Sequence, residues 1–171
     1  PYDQQLVKKR FNFAFITRRL PILGGLLAAA GFFLAWDRDS TRSGWDVLQM
    51  GFTALSDFGR LNFKDPDVIA VILQTVLMLG VVLIPLAAIT GLLTLRGTGS
   101  SRLTAASISL LALLDLALLY VVIIIFNQYP LAELIKSIEP GWYFVVAGLL
   151  WMIISPVFVR KPRGKNTGSY R

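Results

Sequence analysis

The chain has 171 residues, of which 55% are hydrophobic and only 16% charged, and its mean hydropathy is +0.64. About a quarter of the residues of a soluble domain are charged, so this composition excludes an ordinary soluble protein and predicts an integral membrane protein. The chain has no cysteine and no histidine. Their absence excludes disulfides, thiolate metal centres, haem ligation through histidine and the usual general base.

The net charge of +7 does not indicate a nucleic-acid-binding protein, because the basic residues lie at the ends of hydrophobic runs. In a membrane protein this distribution is typical of topology signals and of contact with lipid headgroups. We therefore expect lipids and other membrane protein subunits as partners, and no nucleic acid.

Residues 1–19 combine two basic clusters with three phenylalanines, Phe11, Phe13 and Phe15. Basic side chains approach anionic lipid while aromatic rings enter the interface, so this segment predicts a cytoplasmic membrane-surface anchor. The basic tail, residues 160–171, is predicted to be cytoplasmic as well.

Four segments between these ends are apolar enough to span a bilayer, over residues 20–36, 68–95, 103–126 and 141–159. A hydrocarbon core of about 30 Å needs about 20 helical residues. The fold class is therefore an all-α membrane protein, with a four-helix transmembrane domain over residues 20–159. Pro85 predicts a kink inside the second span.

The first predicted span is rich in small residues. At spacings of four they let helix backbones approach closely, and van der Waals contact drives helix association in lipid. We expect this span to face neighbours on more than one side. The residues predicted to pack in this way are Gly24, Gly25, Ala28, Ala29 and Gly31.

The first outer loop, residues 37–67, is predicted to contain a short amphipathic helix. Ser43 and Asp46 have the spacing of a helix-starting S-x-x-D pattern, and Gly59 is a stop signal. One apolar stripe follows at helical spacing, which suits a helix covering the bundle mouth or a docking surface for another protein. The stripe consists of Trp45, Leu48, Phe52 and Leu55.

The charges of the connections predict the orientation. One side of the four spans carries twelve Lys and Arg residues and the other carries five. By the positive-inside rule both termini are cytoplasmic, as an even number of spans requires. We expect a cell membrane of the bacterial inner-membrane type. Five aromatic residues near the outer boundary are interpreted as interfacial anchors: Trp36, Trp45, Tyr129, Trp142 and Tyr143.

Asp115, in the third span, is the only acidic residue inside a predicted span. An ionisable group at that depth costs about 2.5–3.5 kcal/mol, and no Lys, Arg or His lies deep in a span to pair with it. We therefore expect a neutral carboxylic acid that hydrogen-bonds to Gln74 or Thr75 of the second span, or to a backbone carbonyl. A contact with a partner subunit and a role in proton or cation coupling are the alternatives.

No nucleophile–base pair, metal-ligand cluster or phosphate-binding loop is present in the sequence, so we expect no enzyme and no cofactor held by side-chain ligands. The bulky run at residues 121–126 suits lipid, a quinone tail or another protein equally well. The sequence favours a non-catalytic accessory subunit of a larger respiratory, photosynthetic or transport complex. The alternatives are a small proton- or cation-coupled transporter that uses Asp115, and a tetraspan-type membrane-organising protein.

Overall fold

The computed structural model describes residues 19–38, 41–61, 68–94, 99–127 and 130–158. This part of the chain is helical, without strands beyond two isolated bridges. The helices in chain order are α1 (Arg19–Phe33), α2 (Gly44–Ser56), α3 (Val68–Gly80), α4 (Leu83–Leu93), α5 (Gly99–Asn127), α6 (Leu131–Ser137) and α7 (Pro140–Ile154). Short 3-10 turns, Phe58–Arg60 and Ser155–Phe158, follow α2 and α7.

Three helical stretches are long and apolar enough to cross a membrane: Val68–Leu93, Ser101–Ile125 and Pro140–Val157. They agree with the second, third and fourth predicted spans, so the chain is a multi-pass membrane protein. In the first predicted span, the described helix Arg19–Phe33 is apolar but shorter than a full span. The anchor over 1–18, Tyr129 and the tail from residue 159 onward lie outside the described residues.

The second span is broken, as Pro85 predicts, but the break precedes the proline. α3 ends at Gly80 and α4 begins at Leu83, so that Pro85 lies in the first turn of α4. Between them the amides of Val82 and Ile84 donate to carbonyls only three residues back, at 3.1 Å each. Since proline has no N–H, it cannot continue the four-residue ladder across the break.

α1 lies between α4 and α7, and glycines bring the three backbones together. A Cβ on Gly25 would lie 2.8 Å from the carbonyl oxygen of Ala88 in α4. A Cβ on Gly148 of α7 would lie 2.5 Å from the carbonyl oxygen of Gly24 and 2.6 Å from the amide nitrogen of Ala28. No larger residue fits these crossings without moving a backbone.

At one end of the bundle, two connections that are distant in sequence hydrogen-bond to each other; we call this the capped end. The amide of Arg38 donates to the Ser137 carbonyl, and that of Glu139 donates to the Trp36 carbonyl. The side chains of Arg38 and Glu139 form an ion pair at 3.0 Å. The connection before α2 is thereby fixed to the start of α7.

Trp36 is not the exposed anchor that its position predicts. Its side chain is only 4% exposed, and its indole Nε1 donates to the carbonyl of Gly31 at 2.8 Å. Phe32 is buried as well, and Gly44 at the start of α2 packs against both rings. The end of α1 therefore belongs to the core.

The short helix in the first loop is present, and its predicted start is confirmed. Ser43 and Asp46 form a reciprocal capping box, in which the Ser43 hydroxyl accepts from the Asp46 amide and the Asp46 carboxylate accepts from the Ser43 amide at 2.8 Å. α2 ends at Ser56, three residues before the predicted stop at Gly59. The helix faces the core through Gly44, Leu48 and Gly51.

We expect Ser43→Ala to weaken α2 by about 1 kcal/mol, because the substitution removes the N-cap acceptor. Hydrogen bonds from the Ser43 amide and then from its hydroxyl hold the pKa of Asp46 below its ordinary value. The contribution of Asp46 is therefore present at neutral pH and is lost as the pH falls through this lowered pKa. Amide hydrogen exchange of α2, measured against pH, gives the opening free energy. The effect of Ser43→Ala should shrink in acid.

The matched control is Thr53→Ala, since the Thr53 hydroxyl bonds only to the Gln49 carbonyl of its own helix. Equal losses of protection in Ser43→Ala and Thr53→Ala would contradict the capping role of Ser43.

Candidate functional site

The candidate site lies where α5 crosses the break in the second span. α5 carries Asp115 near its middle, and α3 ends opposite it at Gly80. A Cβ built on Gly80 would overlap both carboxylate oxygens and Cγ of Asp115. The acidic side chain therefore occupies the space that any residue larger than glycine would fill.

One oxygen of this carboxylate, Oδ2, is buried and has no hydrogen-bond partner among the described residues. The hydrogen bond predicted between Asp115 and Thr75 is not formed, because the Thr75 hydroxyl donates to the carbonyl of Val71 in its own helix at 2.7 Å. Gln74 is half-buried, one turn and a half before Gly80. Along the helix axis, Asp115 thus lies at the level of Gly80, which comes five residues after Thr75 and six after Gln74.

Apolar side chains of the core flank the half-buried Asp115. Leu116 and Leu119 of α5 and Leu77, Val81 and Ile84 of the second span belong to one buried cluster. A buried polar atom without a partner costs about 1–3 kcal/mol in such surroundings. The orphaned oxygen is therefore a feature that needs a chemical explanation.

A second orphaned polar atom lies on α7. The indole Nε1 of Trp142 is buried and has no hydrogen-bond partner within the described part of the chain. Its ring meets that of Tyr120 edge-on, with ring centroids 5.6 Å apart. Sequence reasoning placed Trp142 at the interface and did not single out Gly80. The sequence signals for Gly80 were its depth in the span, which matches that of Asp115, and its position five residues before Pro85 in an apolar run.

The residues predicted to pack the first span have separate neighbours. Gly24 and Gly31 face α7, where a Cβ on Gly31 would lie 2.5 Å from the Gly141 carbonyl oxygen, and Gly25 faces α4. Ala28 is fully buried and Ala29 packs at the edge of the core. The close packing of α1 against α4 and α7 within this chain therefore explains why these positions are occupied by small residues.

The predicted docking stripe of α2 is divided. Leu48 is buried, whereas Trp45, Phe52 and Leu55 are exposed. The ring of Trp45 lies 6.5 Å from that of Phe33, which is also exposed. The uncovered part of the stripe therefore contains two aromatic residues, and Trp45 lies beside the end of α1.

The chain matches no known protein-family model, no curated protein and no solved structure. Its function is therefore argued from its own residues.

Proposed function

We propose that this protein is a non-catalytic accessory subunit of a larger membrane complex, in which it packs against neighbouring subunits and lipid. It crosses the membrane four times, with both termini in the cytoplasm. α1 supports the fourth crossing because it is inserted between α4 and α7 and must share their bilayer. The twelve basic residues on one side of the spans, against five on the other, support the orientation.

The observation that carries this proposal is an apolar extension at the capped end, which we define as residues 68–75 of α3 and 121–125 of α5. Gly80 faces Asp115, and Thr75 and Tyr120 each lie five residues from that level towards the capped end. The residues of α3 before Thr75 therefore lie farther towards that end than Tyr120 does. Tyr120 contacts Trp142 in the first turn of α7. The extension therefore continues about 10 Å past the start of α7.

The charges of the capped end mark the headgroup level of the membrane. The ion pair between Arg38 and Glu139 lies there, and charges of this kind belong outside the hydrocarbon. The extension nevertheless exposes large apolar side chains, with Ile69 76% and Ile125 64% exposed. Large apolar side chains that the neighbouring helices leave uncovered at this end are typical of a protein–protein interface. We assign this surface, with Trp45 and Phe52 of α2, to a partner subunit.

The proposal is tested by isolating the protein from its native membranes. We expect a complex with other subunits on native electrophoresis, and we expect the double variant Ile69→Ser/Ile125→Ser to release the chain from it. The loss of apolar contact area removes the partner while the buried core is unchanged. The control is Leu103→Ser, because Leu103 is similarly exposed, at 61%, at the other end of α5.

A solitary chain in gentle detergent would contradict the proposal. Equal dissociation of the complex by Leu103→Ser and by the double variant would place the partner elsewhere on the surface.

A further inference from the structure

The end of α3 is an electronegative point inside the membrane. The last carbonyls of a helix have no amide partners in the next turn, and they carry roughly half a negative charge. α3 stops at Gly80, and the turn that follows it uses three-residue hydrogen bonds. Pro85 supplies no amide to restore the ladder. Because the Ile84 amide donates to Val81, the Gly80 carbonyl loses its usual four-residue partner, and this is the oxygen that the break presents to whatever faces it.

The group that faces it is a second acceptor. The Asp115 carboxyl lies against Gly80 with Oδ2 buried and without a partner in the described structure. If this carboxyl were ionised, two negative ends would meet in an apolar setting, where charges interact strongly. A bound cation or a proton is needed to remove the repulsion between the carboxylate and the end of α3.

None of the helices packed around Asp115 supplies a cationic side chain near it. α3, α4 and the 3-10 turn after α7 contain no titratable residue, and α7 contains only Tyr143, which is exposed. On α5 itself the titratable neighbours are Tyr120 and Arg102, and Arg102 lies thirteen residues away, about 20 Å along the helix. Beyond the break, Asp46 of α2 is engaged with Ser43.

We propose that Asp115 is a proton-binding site, in which the neutral acid donates its O–H to a carbonyl at the end of α3. A metal ion would need several oxygen ligands around it. A Cβ on Gly80 would already overlap the carboxyl, so no ion fits between the two residues, and a proton needs no further room. If Asp115 loses this proton, the carboxylate is repelled by the carbonyl oxygen at the end of α3. Protonation of Asp115 therefore stabilises the packing of α3 on α5. This inference goes beyond the packing role of the subunit and does not depend on it.

The proton is observed directly in the full chain, reconstituted in vesicles of zwitterionic lipid and labelled with 13C at the aspartate carboxyl. We expect one aspartic acid signal to remain in the protonated state at neutral pH, and we expect Asp115→Asn to remove it. The control is Asp57→Asn, because Asp57 is exposed at the end of α2 and should leave that signal unchanged. Only ionised aspartates at neutral pH, or a protonated signal that persists in Asp115→Asn, would overturn the assignment.

A second measurement follows the pH dependence of stability in the same vesicles. The bound proton belongs to the folded state, so the folding equilibrium constant of the wild type should fall by up to about tenfold per pH unit wherever Asp115 is ionised in the unfolded chain but still protonated in the folded one. In Asp115→Asn, which keeps a donor at every pH, this fall should be absent. A fall of equal size in both proteins would overturn the proposal. The spectrum of the labelled wild type decides the question if the variant does not fold.

Discussion

Gly80→Ala should lower the free energy of unfolding by about 2 kcal/mol, within the usual range for a methyl group forced into a filled site. The added Cβ would occupy the position of the Asp115 carboxyl, which would have to swing towards its partly exposed side and lose its packing against α3. Unfolding in mixed detergent micelles, followed by circular dichroism, measures the loss. Gly59→Ala is the control, since nothing lies within 4 Å of a Cβ at Gly59.

A double-mutant cycle separates this contact from a general effect of alanine. In an Asp115→Ala background the space beside Gly80 is empty, so Gly80→Ala should cost little or nothing there. The coupling energy between the two positions should then approach the full cost of the single variant. Additive effects would show that Asp115 does not determine the cost at Gly80.

The second large effect is expected at the crossing of α1 and α7. Gly148→Val should cost about 3 kcal/mol, because its Cβ alone would approach the Gly24 carbonyl oxygen to 2.5 Å and the Ala28 amide to 2.6 Å. Both are backbone atoms, and a backbone cannot rotate away as a side chain can. Ala147→Val adds a similar volume beside the crossing and should be milder.

Cross-linking measures whether α1 stays docked. Asp37 and Ile138 form an antiparallel bridge, a geometry that a disulfide can span, and the chain has no cysteine of its own. The pair Asp37→Cys/Ile138→Cys should cross-link readily with Ala147→Val and poorly with Gly148→Val. Equal yields in the two backgrounds would show that the glycine crossing does not hold α1 in place.

Depth along the helices could be calculated from the sequence, but the contact at that depth could not. From the sequence, Asp115 lies eleven residues below Phe126, about 16 Å, whereas Gly80 lies twelve residues below Val68, about 18 Å. These depths match, and the structure pairs the two residues. The prediction chose Gln74 and Thr75 because they could hydrogen-bond, although they lie about 6–8 Å nearer the end of the span than Asp115 does. Rise per residue was the better guide.

Predictions from local sequence patterns were more reliable than predictions of which side chains are buried. The capping box of Ser43 and Asp46 depends on four consecutive residues, so the sequence contains all of it. The burial of Trp36 depends on Gly44 and on the connection before α7, which approach only after the helices have packed. No pattern around Trp36 distinguishes an interfacial tryptophan from one that donates to Gly31.

The docking of α1 between α4 and α7 has a consequence for biosynthesis. The residues of α7 that cover Gly24 and Gly31 follow them by more than a hundred residues in the chain, so α1 must wait in the bilayer until α7 is made. During that interval its small-residue face is open to other helices, including those of unrelated proteins. A truncated chain that ends before α7 would keep this face exposed, and we expect membrane quality control in the cell to recognise α1 as an unassembled helix.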